Sequence, residues 1–257
     1  MLGFMTDTTC VGLYTAAYKL TSLTLGIISA LGVAMLPKAS NLIANGHNDE
    51  FKLLCEKAMQ FVIAITLPMT VGLILTAPYL IPLFCGKTYI PAINTLQMLS
   101  PIILAIGISN ILGIQILYPQ GQENKVILCT AIGAVINLIL NLWLIPYYQH
   151  NGAAISTAIT EMAVTISMAI IGHKYIPINW YKKHYFYYIS GTLLMAIGVC
   201  IWTFTSNNTS FVTNFIIATL IGIIIYTIFL IAINDPFYQE VKTIVSKHIQ
   251  SSRCQNQ

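Results

Sequence analysis

The sequence predicts an all-α integral membrane bundle of seven transmembrane helices, and three observations carry that prediction. Apolar residues make up 56% of the chain and charged residues 8%, whereas a soluble domain carries roughly 25% charged residues. So few charges cannot clothe a water-facing surface, and the mean hydropathy of +0.76 agrees. Seven stretches also hold the ~20 apolar residues that a helix needs to cross a hydrocarbon layer. Finally, the basic residues alternate from one connection to the next, as topology demands.

The spans are expected at about 11–36, 59–83, 92–118, 126–146, 152–172, 184–205 and 211–233. All but two lack Asp, Glu, Lys and Arg; the first holds Lys19 and the fifth holds Glu161. The first connection, Pro37 to Ala58, reads as long and charged, with Lys38, Lys52 and Lys57. The second holds Lys87, the third Glu123 and Lys125, and the fifth Lys174, Lys182 and Lys183. The fourth (147–151) and sixth (206–210) hold no Lys or Arg, and the C-terminal tail holds Lys242, Lys247 and Arg253. Odd connections and tail together carry ten basic residues and the even connections one. The positive-inside rule therefore puts the odd connections and the tail in the cytoplasm and the N-terminus outside. The tail (234–257) is expected to be cytoplasmic, with a short helix near Gln239–His248.

The net charge of +4 does not point to nucleic acid, because the lysines lie between spans and form no patch. Aromatic residues gather at span ends, among them Tyr79, Phe84, Tyr89, Trp143, Tyr147, Tyr148, Trp180 and Tyr181, which reads as an interfacial belt. Cys10, Cys55, Cys85, Cys129, Cys200 and Cys254 have neither CxxC nor metal-like spacing, so no disulfide framework, metal site or cofactor is expected. No phosphate-binding glycine loop, zinc motif or nucleophile–base pair appears, and the chain does not read as an enzyme. Met1–Phe4 lacks the basic region and cleavage site of a signal peptide. Met1 to Met5 reads instead as the end of a preceding helix, so the chain is expected to be the C-terminal part of a longer transporter.

Ionisable groups inside a bilayer are costly and mark function by default. Lys19 and Glu161 each lie about eight or nine residues in from the outer end of their span, hence at similar depth. Three readings stay open: a shared hydrated cavity for a charged substrate, a structural ion pair, or snorkelling at the lipid edge. Thr15, Lys19, Ser22, Gly26 and Ser29 share one stripe of the first span, beside Tyr14. Thr157, Glu161 and Thr165 do the same on the fifth span, and Asn137 and Asn141 are i,i+4 on the fourth. Small polar stripes also serve close helix packing. Pro68 and Pro101 sit inside spans and are hinge candidates.

Three stretches resemble the polysaccharide-exporter (Wzx-type) flippases of the multidrug/oligosaccharidyl-lipid/polysaccharide exporter superfamily. They are Met1–Phe4 with Val11–Leu20, then Leu36–Pro37–Lys38–Ala39–Ser40, and Asn137 to Glu161 with its Asn141–Leu142–Trp143–Leu144–Ile145–Pro146 core. The resemblance covers about residues 1–175 and implies the C-terminal lobe of a two-lobe flippase plus two extra helices, with the N-terminal lobe absent. It further implies a bacterial cytoplasmic (inner) membrane location and flipping of polyprenyl-diphosphate-linked oligosaccharide for O-antigen, lipopolysaccharide or capsule assembly. Lys19 would attract the diphosphate, and Glu161 would hold Lys19 or take part in ion coupling. Membrane lipid and the missing lobe are the other expected partners. A cation-coupled multidrug exporter of the same superfamily and a non-transporting remnant are the alternatives.

Overall fold

The computed structural model describes residues 1–178, 183–205, 210–235 and 238–239. The expected sixth connection and the expected tail helix fall almost wholly outside them. Among the described residues the chain is helical throughout, without strands. A short α1 (Leu2–Met5) precedes α2 (Thr8–Ala44), α3 (Asn48–Cys85), α4 (Ala92–Leu99) and α5 (Ile102–Asn110). A π-helical stretch (Ile111–Leu117), α6 (Glu123–Ile171), α7 (Lys183–Thr205) and α8 (Phe211–Ala232) follow. Among the described residues six helical segments are long and apolar enough to cross a membrane.

One of the six doubles back. The 49-residue α6 contains Gln149 at φ 50° and ψ −127°, outside helical space. The chain reverses there, because Asn137 donates from Nδ2 to Thr160 Oγ1 over 3.2 Å although the two are 23 residues apart. A straight helix would hold them roughly 35 Å apart. The two legs of α6 are thus the expected fourth and fifth spans. Small residues let them close: Gly133 lies against Val164 and Thr160, and Gly152 against the Leu144 carbonyl.

The first connection corrects an expectation. Instead of a long loop over 37–58, α2 runs through Pro37 to Ala44, and α3 begins at Asn48. The physical reason is amphipathicity: Ala39, Leu42, Phe51, Cys55 and Met59 are buried, while Lys38, Ser40, Lys52 and Lys57 face outward. Hydropathy reports which solvent a residue meets, and these turns stay helical after leaving the bilayer. The turn between them is a Schellman motif, with Gly46 at φ 74° and His47 N–H bonded to the Leu42 carbonyl at 2.9 Å. At the other end Asp7 caps α2, its Oδ1 accepting from Cys10 N–H at 2.9 Å. That bond holds the Asp7 carboxyl below its usual range.

The third span is one expected helix in three pieces. Pro101 separates α4 from α5, where Ser100 Oγ donates to the Leu96 carbonyl at 2.7 Å. Pro68, by contrast, sits inside an unbroken α3.

Packing divides the bundle into three clusters. Leu13, Ala17, Leu80, Leu96 and Ala154 centre the one near the first residues of α2, and Leu42, Phe51, Met59, Ile116 and Met168 the one toward the lysine-bearing end. The third docks α7 and α8 on α3 through Ala64, Tyr188, Met195, Tyr226 and Leu230. Tyr226 donates to the Ala64 carbonyl at 2.7 Å, fixing that dock with a buried bond. The outward faces of α6, α7 and α8 carry large aliphatic and aromatic side chains such as Leu138, Ile139, Trp143, Leu193, Ile197 and Ile223. Such faces suit lipid.

Candidate functional site

The face of α2 differs from those faces in carrying a polar stripe beside its exposed Tyr18 and Leu23. Thr15, Lys19, Gly26 and Ser29 are exposed and Ser22 is half-buried. A Cβ built on Gly26 would meet nothing within 4 Å, so the stripe borders open space. Ser22 Oγ donates to the Lys19 carbonyl at 2.8 Å, which engages its hydroxyl with its own helix. An exposed ammonium and exposed small polar groups at this depth do not suit hydrocarbon.

The second leg of α6 meets α2 beside this stripe. Thr157 Oγ1 donates to the Ala153 carbonyl at 2.9 Å, so its lone pairs accept the Tyr14 hydroxyl proton at 3.2 Å. Tyr14 stacks on Tyr18, with ring centroids 6.0 Å apart. Both helices run in the same direction from the Tyr14–Thr157 contact. Lys19 and Glu161 therefore lie about 6–8 Å beyond it on their own helices. Glu161 is half-buried and Lys19 exposed. Among the described residues no ion pair within 4.0 Å joins them. The structural-pair reading thus finds no support in this conformation, and each charge is available to a third party.

Asn137 and Asn141 engage each other. Asn141 donates from Nδ2 to Asn137 Oδ1 at 2.8 Å, and Asn137 passes the chain on to Thr160. They tie the two legs of α6 together one turn from Thr157. Thr165 Oγ1 lies 2.8 Å from the Glu161 carbonyl and 2.9 Å from the Ala105 carbonyl on α5, sharing one proton between them. The structure therefore joins Tyr14 to Thr157, with the asparagines bracing the legs of α6 nearby, and leaves Lys19 and Glu161 at similar depth on the two helices without a contact between them. Pro68 lies within α3 and Pro101 at the break between α4 and α5, away from the Tyr14–Thr157 contact.

Several polar groups escaped sequence reasoning. Gln115 is buried in the π-helical stretch with its Nε2 unbonded, near Gly32 of α2. Cys10 Sγ sits 3.4 Å from Gln149 Oε1 at the reversal of α6. Asp235, 1% exposed, accepts from the Tyr188 hydroxyl at 3.0 Å and lies 3.2 Å from His184 Nδ1. An apolar sequence window offers no signal for such long-range partners. Among the described residues no group of three His, Cys, Asp or Glu is placed to hold a metal ion.

Residues 4–222 match the family model described as lipid II flippase MurJ. The chain is 28% identical over 168 residues to a "Putative O-antigen transporter" of Shigella dysenteriae, covering 65% of this chain and 41% of that protein. A protein of the same description from Escherichia coli (strain K12) is 27% identical over 169 residues, covering 65% and 40%. The solved structure of a lipid II flippase MurJ in an inward closed conformation has the same fold, with a TM-score of 0.76 at 19% identity. That match covers 91% of this chain and 48% of the other. The chain thus spans less than half the length of these relatives.

Proposed function

The chain belongs to the MurJ family of lipid II flippases, and from that premise we propose that it supplies one lobe of a two-lobe transporter. Its cargo is a polyprenyl-diphosphate-linked oligosaccharide, moved from the inner to the outer leaflet of the bacterial cytoplasmic membrane by alternating access. The likeness to proteins described as O-antigen transporters favours a surface polysaccharide unit as the glycan.

The observation that carries this reading is the polar, open face of α2. In a bundle whose α6, α7 and α8 turn large apolar side chains outward, the stripe Thr15–Lys19–Ser22–Gly26–Ser29, beside Leu23, suits a hydrated path and a second lobe across it. Lys19 presents a mobile ammonium to a diphosphate, and Glu161 lies at matching depth on α6. Lysine acts here as a point charge that can follow a moving anion, where an arginine fork would fix it. The multidrug reading asks for a carboxylate-rich cavity, yet Glu161 is the one carboxylate within the expected spans.

Export of surface glycan measures the proposal. In a host lacking its own exporter, a full-length transporter carrying Lys19→Ala or Glu161→Ala should restore less than about a tenth of the glycan, a loss of roughly 1.4 kcal/mol or more. Lys19→Arg should retain part of it. Wild-type glycan from both alanine variants, at equal protein level, would remove these residues from the path.

A further inference from the structure

At the lysine-bearing end, the chain turns converge on a polar cavity of about 200 Å³ that has no part in the transport face. Ile43 closes it from the end of α2, Asn48 and Phe51 from the start of α3, Gln120 from the turn before α6, and Lys174 and Tyr175 from the turn after it. We propose that this cavity binds a phosphate-bearing anion, delivered as the headgroup of an anionic phospholipid.

Its level in the membrane fits a headgroup. The leg of α6 from Gly152 to Ile171 is about 30 Å long, the thickness of the hydrocarbon core. Lys174 lies just beyond that leg and so falls in the headgroup layer. Its charge also fits. The lining holds one ammonium and no carboxylate, and Lys174 makes no ion pair among the described residues. The nearest acidic residues on α3 are Asp49 and Glu50, and neither lines the cavity; Glu50 turns to His47, 3.5 Å away.

The walls are preformed. Gln120 donates from Nε2 to the Ile116 carbonyl at 2.8 Å and to the Tyr175 carbonyl at 2.9 Å, joining two turns distant in sequence. The Lys125 ammonium lies 5.3 Å from the Tyr175 ring centroid and adds a second positive charge behind that wall. Ile43, Phe51 and Ile176 offer apolar surface where a glycerol backbone and the first acyl carbons would pass. Basic pockets between transmembrane helices recognise anionic headgroups by this combination of charge and apolar flank. The site needs only the membrane and does not rest on the transport reading.

The test is binding by the purified full chain in detergent, read by native mass spectrometry and by thermal midpoint. The probes are phosphatidylglycerol, phosphatidylcholine and inorganic phosphate, each added separately. Phosphatidylglycerol should bind saturably and raise the midpoint, while phosphatidylcholine and inorganic phosphate should do neither. Lys174→Glu should weaken phosphatidylglycerol binding about tenfold without moving the lipid-free midpoint. Lys87→Glu, the same change at the opposite end of the bundle, should leave binding unaltered. Equal binding of the two lipids, equal loss in both variants, or saturable binding of inorganic phosphate would overturn the assignment.

Discussion

Tyr188 donates its hydroxyl to the carboxylate of Asp235 over 3.0 Å, joining the start of α7 to the residues just past the end of α8. Both residues are buried, Tyr188 at 0% exposed and Asp235 at 1%. His184, one turn earlier on α7, approaches the other carboxylate oxygen at 3.2 Å. The hairpin of α7 and α8 is thereby closed at its base, where it leans on α3. A buried carboxylate deprived of a donor is costly, and Tyr188→Phe should lower stability by about 1.5–3 kcal/mol. The check is thermal unfolding of the purified protein, with a double-mutant cycle to Asp235→Asn. Additive losses would mean that the two side chains do not act on each other.

Gln149 holds a backbone conformation that favours glycine, φ 50° with ψ −127°. Holding a side chain there costs about 1–3 kcal/mol. The thiol of Cys10 at 3.4 Å from its amide oxygen offsets only part of that cost. Gln149→Gly should therefore stabilise the chain by roughly 1 kcal/mol, and Gln149→Val should destabilise it. A lower thermal midpoint for the glycine variant would show that the side chain, not the backbone, sets the reversal.

Gly152 leaves no room for a Cβ, which would run into the Leu144 carbonyl across the reversal. Backbone cannot move aside as a flexible side-chain end can. Gly152→Ala should cost about 1–3 kcal/mol or more, and Gly26→Ala, with open space around it, should cost no more than ~1 kcal/mol. Comparison of the two midpoints decides whether the close approach of the legs matters to stability.

Lys19 and Glu161 should separate folding from transport. Lys19 is exposed and in no ion pair among the described residues, so Lys19→Ala should change stability by less than about 0.5 kcal/mol. Glu161→Gln removes a half-buried charge that makes no ion pair among the described residues and should be neutral or mildly stabilising. If both variants unfold several degrees earlier, the two residues hold the bundle together and their place in a transport path loses its support.

The spans were legible because a bilayer imposes its thickness on every segment that crosses it. The legs of α6, α7 and α8 lie where hydropathy places them. What hydropathy misses is helix outside lipid: the turns from Pro37 to Ala58 are polar enough to resemble a loop, yet bury Leu42, Phe51 and Cys55 on one side. The π-helical stretch at Ile111–Leu117 was equally hidden, since a change of winding leaves composition untouched. On the candidate site, the i,i+4 spacing of Asn137 and Asn141 announced a local pair. Their partner Thr160 required the fold, as did the Tyr14–Thr157 contact across 143 residues. Equal depth of Lys19 and Glu161 could be counted from the sequence, but whether they join could not.

Helices α2 and α3 contain 37 and 38 residues, about 55 Å of rod each, while headgroups and hydrocarbon together measure about 40–45 Å. The surplus emerges at the lysine-bearing end as a paired spar braced by the turn at Gly46. Such a spar works as a tiller: a tilt of about 10° within the lipid sweeps its tip sideways by several ångströms in water. If the proposed alternating access rocks the bundle, that motion would be displayed outside it, at Ser40 and Asn41, where a pair of probes could follow it away from the proposed path.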